Sequence, residues 1–98
     1  MREPPLILIV DDNPANVEIL QMRLMANSYD VITATDGEMG LNMAREKLPD
    51  LILLDIMMPK MYGFEVCRQL KGDLTIPFMP IILVTAKTES KDVDERQL

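Results

Sequence analysis

Aspartates stand at the ends of two apolar runs. Asp11 and Asp12 follow Leu6-Ile7-Leu8-Ile9-Val10, and Asp55 follows Leu51-Ile52-Leu53-Leu54. If those runs are neighbouring strands, three carboxylates meet at one edge. Two unit charges about 4 Å apart repel by roughly 4 kcal/mol at an effective dielectric near 20. Such a trio should bind a cation or hold a proton. Hard oxygen donors without Cys or His select Mg²⁺ or Mn²⁺, with several waters retained. One metal beside a carboxylate suits phosphoryl transfer, in which the ion neutralises charge on the transferring group. Taken singly the residues have plainer readings: Asp11 or Asp12 as a helix cap, Asp55 as a solvated strand end, Thr85 as a strand residue. Their joint placement favours a site.

The elements that must position these groups are short. The runs from Leu6, Asp30, Leu51 and Ile81 are β-branched or Leu-rich and too short for buried helices, so they read as strands covered on both faces. After Asn13-Pro14, a cap and first-turn pair, Val17, Leu20 and Leu24 repeat at helical spacing. Leu41, Ala44 and Leu48 mark a second helix. Phe64, Cys67 and Leu70 mark a shorter third, ended by Lys71-Gly72-Asp73. Alternation of this kind predicts βαβ units and a parallel sheet with helices on both faces. Ligands of such sheets bind outside the carboxyl ends of the strands. There stand Asp11, Asp12 and Asp55, with Thr35-Asp36 after the second strand and Thr85-Ala86-Lys87 after the fourth.

Composition narrows the function. The 98 residues suffice for one domain, and 48% hydrophobic content is too apolar for disorder. No apolar run is long enough to span a bilayer and no signal core is present, so the expectation is a cytoplasmic domain with no membrane contact. The single Cys67 fits a reducing compartment and reads as a core residue. A net charge of −6 repels phosphates and argues against nucleic-acid binding through this domain. The absence of histidine removes His-based acid–base catalysis and histidine metal sites.

Ile9-Val10-Asp11-Asp12-Asn13, the block from Asp50 through Asp55 to Pro59 and Gly63, and Val84-Thr85-Ala86 together resemble the receiver domain of two-component response regulators. The spacing Asp55-x3-Pro59-x3-Gly63 is the most specific part of that likeness. The resemblance implies a flavodoxin-like, doubly wound α/β sheet. It implies that Asp55 accepts a phosphoryl group from a sensor histidine kinase or phosphotransfer protein. Asp11, Asp12 and Asp55 would hold Mg²⁺ with the backbone carbonyl of Met57, and Thr85 would hydrogen-bond the phosphoryl group and switch. The activity would be at most self-phosphorylation and dephosphorylation. A second apolar strip on the first helix (Ala15, Ile19, Met22 and Ala26) is either imperfect amphipathicity or, as the resemblance implies, a partner surface in which Ala15, Asn16 and Ile19 make contacts.

The chain departs from the family in one respect. A fifth strand with its Lys-Pro pair and aromatic switch residue, and a fifth helix, have no counterpart in residues 1–98, so the expected strand order is 2-1-3-4. Lys87 stands at a different position and does not inherit the lysine's role. A strand and helix bury about five large side chains at ~1.5–3 kcal/mol each, against a typical total of about 5–15 kcal/mol. Without them the fourth strand becomes an apolar edge. The expectation is therefore an incomplete domain over 1–98, part of a longer chain or hiding that edge by dimerisation or a domain swap. The alternative function is a phosphorylation-incompetent interaction module of the same fold.

Overall fold

The computed structural model describes residues 3–55 and 63–84. Four strands and three helices alternate: β1 (Leu6–Val10), α1 (Pro14–Ala26), β2 (Asp30–Ala34), α2 (Gly37–Lys47), β3 (Leu51–Asp55), α3 (Gly63–Lys71) and β4 (Ile81–Val84). The strands form one parallel sheet in the order β2-β1-β3-β4, as expected from the sequence. Alternate residues face opposite sides of a strand. Leu8, Val10, Ile52 and Leu54 join Ala34, Leu41, Ala44, Val66 and Leu70 in one core beneath α2 and α3. Ile7 and Ile9, buried on the other face, lie on the side of α1. At the amino ends of the strands, the Leu6 N–H donates to the Asp50 carboxylate and the Asp50 N–H donates to the Leu6 carbonyl, both at 2.8 Å. This pair of bonds sets the β1–β3 register that governs the opposite edge.

Burial departs from expectation in three places. The outer strands are not covered on both faces: β2 buries only Ala34, and Ile82 and Leu83 of β4 are 48% and 38% exposed. In α3 the fully buried positions are Val66 and Leu70, at i and i+4, with Cys67 only partly covered; the side chain of Phe64 lies outside the described residues. Leu48 is not an inward helical residue. It caps α2 in the left-handed region (φ 49°) and is exposed, because the chain turns there to enter β3.

Gly40 sits where α2 comes closest to the sheet, and a Cβ added there would lie 2.8 Å from the Val10 side chain. Val10 immediately precedes Asp11, so it cannot shift without disturbing the acidic edge. Gly40→Ala should therefore destabilise by about 1–3 kcal/mol through overpacking, despite alanine's better helix propensity. Urea unfolding measures this, and an unchanged midpoint would show that α2 has room to move.

The loop after α3 is tied to α2 through Asp73, whose carboxylate accepts from the Thr75 hydroxyl, the Thr75 N–H and the Arg45 guanidinium at 3.0 Å. The Thr75 hydroxyl, aided by that N–H and by Arg45, holds the Asp73 carboxyl below its ordinary value. A lowered folded-state pKa stabilises fully above the unfolded value, and the contribution is lost as pH falls through the lowered one. Asp73→Asn should accordingly lose less stability than wild type as pH falls below the ordinary aspartate range. Identical losses in paired urea titrations would refute the assignment.

Candidate functional site

The site grows out of the β1–β3 register. Val10 pairs with Leu54, so the next residues, Asp11 and Asp55, emerge side by side from adjacent parallel strands. Neighbouring strands lie about 4.8 Å apart, which brings the two carboxylates together without any special loop. The Asp11 N–H donates to the Ala34 carbonyl at 3.1 Å and so extends the pairing toward β2. The Asp11 carboxylate accepts the Asn13 N–H at 2.9 Å, an Asx turn that fixes its orientation. Asp12 follows at the rim and is partly exposed, whereas Asp11 and Asp55 are buried. One carboxylate oxygen from each of Asp11, Asp12 and Asp55 lies within 4.8 Å of the others.

Capping of α1 falls to Asn13, whose side-chain oxygen accepts from the Ala15 and Asn16 N–H groups, with Pro14 in the first turn. The cap reading of Asp11 and Asp12 is thereby displaced. Asp36, by contrast, is the N-cap of α2 and accepts the Met39 N–H at 2.8 Å. Its carboxylate serves the helix rather than the acidic edge. Thr85 and Met57 lie outside the described residues, as does Lys87.

The donor set fits a small hard cation. Oxygens bound to one Mg²⁺ at about 2.0–2.1 Å can be no more than ~4.2 Å apart. A 4.8 Å spread reaches that range with a slight side-chain rotation, or with one acid bound through water. Three acids this close, two of them buried, are otherwise a strong mutual repulsion.

A family profile described as the response regulator receiver domain matches residues 7–96. The chain belongs to that family. The receiver domain is 55% identical over 80 residues to "Response regulator PleD" of Caulobacter vibrioides, covering 82% of this chain and 18% of that protein. It is 49% identical over 86 residues to the alkaline phosphatase synthesis transcriptional regulatory protein PhoP of Bacillus subtilis, covering 88% of this chain and 35% of that one. The chain thus spans about a fifth to a third of the length of these curated relatives. Among solved structures, the N-terminal domain of a response regulator receiver protein from Methanoculleus marisnigri superimposes with a TM-score of 0.80 at 37% identity. That match covers 93% of this chain and 75% of the other. The chemotaxis protein CheY4 of Vibrio cholerae gives 0.78 at 31% identity, covering 93% and 76%. The flavodoxin-like sheet of this receiver is therefore the one its relatives share. Among the described residues, no helix is long and apolar enough to cross a membrane.

Sequence reasoning overlooked a cleft beside the acidic edge. Pro14, Val17, Glu18 and Gln21 of α1 form one wall and Thr33 to Thr35 the other, enclosing about 390 Å³. The i, i+3, i+4, i+7 spacing of the α1 residues would have placed them on one face. Apolar periodicity alone places only Val17 on that face, since Glu18 and Gln21 are polar and Pro14 serves the first turn.

Proposed function

We propose that this receiver accepts a phosphoryl group on Asp55 from a histidine kinase or phosphotransfer protein. The observation that carries the proposal is the convergence of Asp11, Asp12 and Asp55. Asp11 and Asp12, with Asp55 and the Met57 carbonyl, would hold Mg²⁺ or Mn²⁺, which supplies charge neutralisation for the incoming phosphoryl oxygens. An Asp55 carboxylate oxygen forms the new O–P bond as the donor's N–P bond breaks, and the departing imidazole keeps the electron pair and takes up a proton. Positioning does most of the work, since a carboxylate is a weak nucleophile until held in line. The Thr85 hydroxyl would then report the added charge.

A second reading, an interaction module that is never phosphorylated, is favoured by the complete burial of Asp55. Acetyl phosphate with Mg²⁺ separates the two: the first reading requires a covalent mass gain, and the second requires none.

Docking of the donor is proposed on the outer face of α1. Ala15 is exposed there and Ile19 is 52% exposed, with Asn16 half-buried beside them; Met22 and Met25 continue the apolar surface. Ile19→Asp should slow transfer from the kinase by roughly tenfold or more, the effect of burying an unpaired charge in an interface. Labelling by acetyl phosphate should be unchanged. Equal loss of both activities would exclude α1 as the docking face.

A further inference from the structure

The cleft between α1 and β2 combines an apolar patch on its helix wall with an acidic rim. Pro14 and Val17 line its helix side, and Asp12, Glu18, Gln21 and Thr35 supply oxygen acceptors around it. No basic side chain lines it among the described residues. The Glu18 carboxylate and Gln21 amide, which stand on the helix wall, make no ion pair or side-chain hydrogen bond with any described residue. A complementary occupant therefore has an aliphatic stem, a positive end and several N–H donors.

We propose that this cleft receives an arginine side chain of the protein that docks on α1. The arginine's methylenes lie against Pro14 and Val17, and its planar guanidinium bonds the Glu18 carboxylate and the Gln21 and Thr35 oxygens. Charge complementarity selects arginine over an apolar side chain, and the spread of acceptors favours a fork of five donors over the point charge of lysine. The cleft opens on Asp12, so an arginine seated there anchors the donor next to the acidic edge while Asp11 and Asp12 remain engaged with the ion. The inference rests on the α1 docking reading and extends it by naming the partner group.

The test is a titration of the isotopically labelled chain with N-acetyl-arginine methylamide, followed by amide resonances, with Mg²⁺ saturating throughout. The norleucine and lysine analogues serve as comparisons. Saturable shifts confined to Val17, Glu18, Gln21, Thr33 and Thr35, strongest for the arginine analogue, are expected. Glu18→Gln should weaken them roughly two- to fivefold, the range for an exposed ion pair. No saturable shift, equal shifts with the norleucine analogue, or indifference to Glu18→Gln would each overturn the proposal. So would shifts that appear only without Mg²⁺, since the analogue would then merely replace the ion. Acetyl phosphate labelling of the same samples scores the phosphoacceptor reading separately, because Glu18→Gln leaves Asp55 untouched.

Discussion

Asp55→Asn is expected to abolish covalent phosphorylation by acetyl phosphate while leaving the fold intact. Asparagine preserves the shape of the side chain and removes its charge, so the buried volume at the end of β3 is unchanged. The amide cannot supply the anionic oxygen that forms the O–P bond. Asp11 and Asp12 remain, but neither replaces Asp55. The Asp11 oxygen is committed to the Asn13 N–H at 2.9 Å, and Asp12 sits at the rim, one residue further along the chain. Intact-mass measurement on both proteins, with and without EDTA, checks the outcome. A mass gain persisting in Asp55→Asn would move the phosphoacceptor elsewhere and end the assignment.

The second large effect concerns the metal. Asp12→Asn should lower Mg²⁺ affinity by about a hundredfold or more, since loss of a supporting partner outside the ligand shell alone costs about 10–100-fold. Asp12 is the informative position because its carboxylate is not the acceptor in the Asx turn. Removing the Asp11 side chain, as in Asp11→Ala, would weaken the metal and also disturb the entry to α1. Saturating Mg²⁺ should raise wild-type stability by ~2.7 kcal/mol at a hundredfold excess over Kd. In Asp12→Asn that gain should fall to about 0.4 kcal/mol or less at the same concentration. Thermal unfolding across a Mg²⁺ series reads both quantities, and an equal rise in the two proteins would remove Asp12 from the site.

The strands and the acidic edge were legible because their signals are local. A five-residue apolar run followed by acids leaves little choice of element, and the parallel order then brings Asp11 next to Asp55. Side-chain facing was less legible wherever one helix offered two apolar strips. In α3 the apolar spacing Phe64, Cys67 and Leu70 includes Leu70 but passes over Val66, which reaches the core with it, because a nine-residue helix gives too few turns to fix its phase. Leu48 extended an apolar period by one residue beyond the helix, where only the left-handed cap shows that the pattern has ended. Gly40 was unreadable for a different reason. Its role is set by the distance to Val10, and no periodicity records how closely a helix approaches a sheet. The capping duty of Asp36 was hidden by its position at a strand end, the same position that made Asp55 a candidate.

The claim beneath all of this is that Asp11, Asp12 and Asp55 share one divalent ion. Paramagnetic Mn²⁺ tests it directly, by broadening the resonances of residues near the bound ion. The account predicts saturation at one ion per chain, with the signals of all three aspartates lost together and Mg²⁺ restoring them in competition. Broadening that reaches only one of the three, or that spreads over other acids without saturating, would contradict it.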